Sequence, residues 1–295
     1  MTEESRHKVI ASLPNDEAGP ESLGKREASV HHVCTAGHVS AETGILPQAF
    51  DRWELADKDG VTAAHQAAER GTLPIGFWQW ELADDRGRTV AHAAAWAGKL
   101  PGDFCLWELR DRRGVTVAHA AAWCGCLPDS FSLWEVEDGR GASVAHYAAG
   151  RGHLPPGFRE WYIRDGKGRT VASAAARAGK LPEGFVFWEL ADSNGRTAAH
   201  AAASKGNLPP DFDRWKIADR LGRTVAHAVA ASRHLPEGFG LWQLADATGW
   251  TVAHEAARSG CLPHDFNMWH LTNMYDRSVA QVAAENGTLP ENFDL

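Results

Sequence analysis

The chain has 295 residues, 30 basic and 38 acidic side chains, a formal net charge of −8 and 13 tryptophans. No apolar run approaches the roughly 18 residues of a membrane span, and Met1-Thr2-Glu3-Glu4-Ser5 lacks a signal-peptide core, so a cytoplasmic protein without a membrane partner is expected. Five cysteines (Cys34, Cys105, Cys124, Cys126 and Cys261) are odd in number and fall mostly in different phases, which fits a reducing compartment better than a disulfide framework.

Residues 1–29 are polar, with Asn15-Asp16-Glu17 and Gly19-Pro20, and are expected to form a flexible leader. From 30 to 295 one pattern runs through the chain. Tryptophan recurs every 27 residues at Trp53, Trp80, Trp107, Trp134, Trp161, Trp188, Trp215, Trp242 and Trp269. A column of the largest side chain means one supersecondary unit copied in tandem, a solenoid without a central core. The consensus is D-x-x-G-x-T-V-A-H-x-A-A-x-x-G-x-L-P-x-x-F-x-x-W-x-L-A. Its T-x-x-H phase starts ten times, from Thr35 through Thr62 and on to Ser278, with degraded first and last copies that read as caps.

Within each unit, T-V-A-H-x-A-A-x-x-G predicts a short helix: threonine caps its first N–H groups, alanine has the best propensity, and glycine permits a left-handed stop. L-P-x-x-F-x-x-W follows, with proline at a first helical position and Phe and Trp on one face of a turn or two. W-x-L-A-D-x-x-G then alternates apolar and polar residues before an Asp/Gly turn. One unit cannot bury its Leu, Phe and Trp alone; stacked units bury them as columns.

The motif resembles an ankyrin repeat: Asp84, Gly87, Thr89, His92, Ala94, Ala95 and Gly98 match D-x-x-G-x-T-P-L-H-x-A-A-x-x-G, and the match recurs in eight or more copies over 35 to 290. Val-Ala or Ala-Ala stands where that family has Pro-Leu, and the period is 27, not about 33. The resemblance therefore implies an α-rich, ankyrin-like stack of about ten units with a second helix cut to one turn. The alternative is a leucine-rich-repeat-like α/β solenoid, in which L-P-x-x-F-x-x-W-x-L ends in a parallel strand.

Several residues tempt a chemical reading. Histidine forms a column at His38, His65, His92, His119, His146, His200, His227 and His254, replaced at Ser173 and Gln281. Zinc needs three or four ligands converging within about 2 Å, whereas one histidine per unit spaces the rings a repeat apart; no metal is expected. By resemblance this histidine hydrogen-bonds threonine and the backbone of the adjacent repeat. Cys124-Gly125-Cys126 lacks a second pair at finger spacing. Gly166-Lys167-Gly168-Arg169-Thr170 lacks phosphate-loop spacing and lies on a turn found in every copy. No nucleophile has a dedicated base, so neither enzyme activity nor a cofactor is expected.

The resemblance implies that partners meet five variable positions per unit: two between Asp and Gly, one after that Gly, and two after Ala-Ala. Over nine units these hold 17 basic and four acidic residues, a net of +13 on a chain whose total is −8. Aromatics lie in or beside the same strip. The candidate partner-binding residues are Arg86, Arg88, Trp96, Arg112, Arg113, Trp123, Arg140, Tyr147, Arg151, Arg169, Arg177, Arg196, Arg223 and Trp250. Tryptophan, tyrosine and arginine dominate interface hot spots. The expectation is a non-enzymatic module whose concave face recognises or sequesters an acidic protein, a layout that suits an effector or inhibitor. Nucleic acid is the alternative partner, since interleaved Arg and aromatics meet phosphates and stack bases; the overall acidic charge argues against it.

Overall fold

The computed structural model describes residues 51–290, so the leader and the first unit, with Cys34 and His38, lie outside the described residues. Among the described residues nine short helices follow one another: α1 (Ala63–Arg70), α2 (Val90–Trp96), α3 (Val117–Cys124), α4 (Val144–Arg151), α5 (Val171–Ala178), α6 (Ala198–Ala203), α7 (Val225–Ser232), α8 (Val252–Ser259) and α9 (Val279–Glu285). Each packs on the helix before and the helix after it, and on no other. Among the described residues the architecture is a helical repeat solenoid with one helix per 27-residue unit.

Each helix starts where the sequence places its cap. In α1, Thr62 is extended at φ −90° and its hydroxyl accepts the His65 N–H, while Gly71 ends the helix in the left-handed region at φ 73°. The first helical N–H groups do not go unpaired: Ala63 donates to the Leu55 carbonyl at 3.1 Å and Ala64 to that of Trp53 at 3.4 Å. The W-x-L stretch thus caps the helix that follows it, and an isolated antiparallel bridge, Ala56 to Thr62, closes the unit.

The Asp-x-x-Gly turn is built on a side-chain acceptor. One carboxylate oxygen of Asp57 takes the N–H groups of Asp59 and Val61, both at 2.9 Å, which pre-forms the turn locally. Neighbouring turns are then stitched by a backbone bond, as from Arg112 N–H to the Arg86 carbonyl at 3.1 Å. Glycine is required at Gly60 for two reasons: its φ is +74°, and a Cβ would sit 2.6 Å from the backbone nitrogen of Asp85 in the next unit.

The second half of each unit differs from expectation. No shortened second helix forms; two successive turns replace it, closed in the first described unit by Phe77 N–H to Pro74 O at 3.1 Å and Leu82 N–H to Gln79 O at 3.3 Å. The parallel strand of the alternative reading is also absent among the described residues, whose only β pairing is the isolated bridge within each unit. The cause is length: the segment from Thr72 to Ala83 must return the chain and present the carbonyls of Trp80 and Leu82 to the next helix. Proline, which lacks an N–H, suits the turn better than a helix interior.

What those turns carry is an unbroken aromatic ladder. Trp53, Phe77, Trp80, Phe104, Trp107 and Phe131 meet edge to face with centroids 5.1–5.6 Å apart. The alternation continues at 5.0–5.8 Å to Phe266 and Trp269. Such pairs add about 0.5–1.5 kcal/mol each beyond area burial. On the helix side, alanines such as Ala64, Ala94, Ala121, Ala175 and Ala202 are fully buried, so the backbones of successive helices approach closely.

Candidate partner-binding surface

The histidine column is a set of ties between units. His92 Nδ1 faces the Thr89 backbone N–H at 3.2 Å, and Nε2 lies 2.9 Å from the Val115 carbonyl of the next unit. An N–H can only donate and a carbonyl can only accept, so Nδ1 is the acceptor and Nε2 carries the proton. The Thr89 hydroxyl also touches Nδ1, at 2.8 Å. His65, His119, His146, His200, His227 and His254 repeat the arrangement with the carbonyls of Arg88, Ala142, Arg169, Arg223, Trp250 and Arg277. Burial pushes these imidazoles below their ordinary value, against the opposing pull of the carbonyl bond. Each ring is neutral, with its one lone pair given to the threonine N–H.

At Ser173 the tie is missing. The short hydroxyl donates to the Thr170 carbonyl at 2.8 Å within its own turn, and the space a ring would fill belongs to a groove of about 550 Å³. Along this groove lie Trp123, Tyr147, Arg151, Arg169, Arg177 and Arg196, six of the candidate residues from four successive units, with Ser173, Ala174 and Ala201 among its lining. The positions after Ala-Ala and the position before threonine therefore border one surface.

The cations differ in how far they are already engaged. Arg151 stacks 3.5 Å over the Trp123 ring. Arg169 pairs with Asp165 at 2.6 Å, as Arg88 does with Asp84 at 2.7 Å. Burial raises the Asp84 and Asp165 carboxyls, but arginine and backbone N–H donors outweigh it and hold both below the usual range. Among the described residues Arg177 and Arg196 have no carboxylate partner. Tyr147 gives its hydroxyl to Asp138 at 2.9 Å; burial first, then Asp138, pushes its ionisation far above the usual phenol range.

The remaining candidates spread out from this groove. Arg86, Arg112, Arg113 and Arg140 are exposed on turns, and Trp96 is 39 % exposed beside His92, away from the groove. Arg223 and Trp250 lie in a different setting, a network the sequence did not announce. Glu255 is 1 % exposed, and its carboxylate takes Arg223 at 3.1 Å, the Trp250 Nε1–H at 3.1 Å, and Arg258. Trp250 is thereby half-buried. A carboxylate sits there at a position that is alanine in five of the other eight described helices, and that departure from the pattern was the available signal.

A second unannounced column lies before the Leu-Pro pair. Its side chains reach back to carbonyls of the preceding helix: Cys126 to Ala95, Asn207 to Ala176, Thr288 to Ala257. The described cysteines are free thiols, and Cys124 donates to the Trp96 carbonyl. No described helix is long and apolar enough to cross a membrane. No protein-family model matches the chain, and no curated protein matches it at a significant level.

Proposed function

We propose that this chain is a non-enzymatic, ankyrin-like recognition module that binds or sequesters an acidic partner protein through its arginine and aromatic strip. The observation that carries the reading is the groove in which Trp123, Tyr147, Arg151, Arg169, Arg177 and Arg196 converge from four units, two of the arginines without a counter-ion among the described residues. The variable positions of the strip carry a net +13 on a chain of −8, and an excess of that sign favours an acidic surface as partner. The motif's ankyrin resemblance supports a protein as partner, and the interior location of the ladder leaves the strip free to vary.

The test is affinity capture from lysate by the intact chain and by a variant reversing Arg86, Arg113, Arg177 and Arg196 to glutamate, each with and without nuclease. All four side chains are exposed, so the variant should melt as the parent does. Acidic proteins held by the parent, released by the variant and indifferent to nuclease are expected. Capture that survives charge reversal contradicts the reading; capture lost to nuclease replaces it with a nucleic-acid partner.

A further inference from the structure

The repeat allows one unit to be read against another at the same phase. Glu255 is the fourth residue of α8, and the fourth residues of α5 and α6 are Ala174 and Ala201. In α8 the carboxylate is gripped by Arg258, three residues on, by Arg223 of the unit before, and by the Trp250 N–H just before the cap. Transposed onto α5, the position of Arg258 is Arg177 and that of Trp250 is Arg169; transposed onto α6, the positions of Trp250 and Arg223 are Arg196 and Arg169. Two of the three donor positions of the Glu255 site thus hold arginine again at each alanine, the third being Ala142 for α5 and Ser204 for α6, and the carboxylate is absent. Both alanines, and all three arginines, line the groove.

We propose that this groove receives a glutamate side chain from the acidic partner, its carboxylate taking beside Ala174 the place that Glu255 fills internally in α8, next to Arg169 and Arg177, with Arg196 of the following unit lining the same groove. The inference rests on the acidic-partner reading above and names its point of entry. Guanidinium groups favour a planar carboxylate through paired N–H bonds. Asp165 already satisfies part of Arg169, and Asp192 uses one oxygen on the N–H groups of Asn194 and Arg196 at 2.8 Å, which leaves Arg177 and Arg196 as the principal hands. Ser173 in place of histidine gives the entering chain its room, and the Trp123 ring, 45 % exposed under Arg151, supplies a wall for the residue that precedes or follows the glutamate.

The experiment titrates N-acetyl-hexaglutamate into the full chain and its variants by calorimetry. Ala174→Glu installs the internal carboxylate; it should raise the melting temperature and weaken the peptide at least about tenfold, equivalent to about 1.4 kcal/mol. Undiminished binding by this variant overturns the proposal. Should Ala174→Glu fail to fold, Arg177→Ala with Arg196→Ala decides: both side chains are exposed, and retained affinity overturns the proposal equally. Arg86→Glu with Arg113→Glu, outside the groove, separates the two readings. Weakening there without weakening by Ala174→Glu leaves the strip standing and removes the groove. Loss by Ala174→Glu with affinity unchanged by Arg86→Glu with Arg113→Glu keeps the groove and removes the broader strip.

Discussion

The two long sides of the stack obey opposite rules. On one, Trp and Phe alternate without a break from Trp53 to Trp269; on the other, the positions between Asp and Gly and after Ala-Ala change from unit to unit, as at Trp96, Trp123, Arg177 and Arg258. Each interior ring of the ladder meets one ring of its own unit and one of a neighbour, as Trp161 meets Phe158 and Phe185, so an unsuitable residue there damages its own unit and an interface at once. A strip residue such as Arg177 faces solvent, and its replacement leaves its neighbours' packing intact. Under the proposed function, stability and recognition belong to different columns and should be separable by mutation.

The largest effect expected is on the ladder. Trp161 is 5 % exposed and meets Phe158 and Phe185 at 5.2 and 5.1 Å, so Trp161→Ala should cost about 3–5 kcal/mol in denaturant unfolding. Affinity for an acidic peptide, measured where the variant is folded, should stay near the parent's. A neutral effect on stability would break the comparison at its root.

Next comes pH, which acts on the ties and spares the arginines. Burial holds the seven described column histidines below their ordinary value, while unfolded imidazoles titrate near about 6.5. The unfolded chain then binds more protons, so this stabilisation is complete above about pH 6.5 and declines as pH falls through it. The melting temperature should drop steeply between about pH 6.5 and 5, before the carboxylates respond. Asp84, Asp138 and Asp165, held below the usual value, add a further loss at more acidic pH. A flat profile between about pH 7.5 and 5.5 would mean the rings take up protons equally in the folded and unfolded chains, and stability that rises as pH falls would mean they are protonated in the fold and the tautomer assignment is wrong.

A smaller change is expected where the column is interrupted. Ser173→His restores the tie to the Arg196 carbonyl that His146 makes to Arg169 at 2.9 Å. It should stabilise by about 0.5–1.5 kcal/mol, the worth of one hydrogen bond, while narrowing the groove and weakening hexaglutamate. Stabilisation without any change in affinity would show that the opening at Ser173 is incidental. The smallest effect belongs to Arg233, the C-cap of α7, held at φ 61° where other units place glycine. Arg233→Gly should stabilise by about 0.5–1 kcal/mol, the left-handed cost less the entropy of glycine.

The ladder side was legible in the sequence because each of its residues recurs at a fixed phase. Thr62 and Gly71 marked helix α1, and the Trp column marked what is buried. Proline and two aromatics three apart suit a helical turn and a pair of β-turns equally by spacing, so the second half of the unit was misread; the constraint that decides it, delivery of the Trp80 carbonyl to Ala91 at 3.2 Å, is tertiary. On the strip the arginines could be counted, but not sorted. Arg169, Arg196 and Arg223 precede threonine identically, yet one pairs with Asp165, one with Glu255 and one with no carboxylate among the described residues. That difference depends on residues about 32 positions away, Glu255 against Ala228 and Ala201.

Removal of one whole period tests most directly whether each unit depends only on its neighbours. Deleting Thr197 through Arg223 joins Arg196 to Thr224 in phase and removes α6 with its share of the ladder. In a stack held by nearest-neighbour contacts the shortened chain should still unfold cooperatively, with an m-value lower by roughly a tenth and a modestly lower midpoint. A deletion of about half a period at the same place should fold poorly, because it breaks the phase. Loss of the cooperative transition on removing the full period, or equal tolerance of both deletions, would contradict the account.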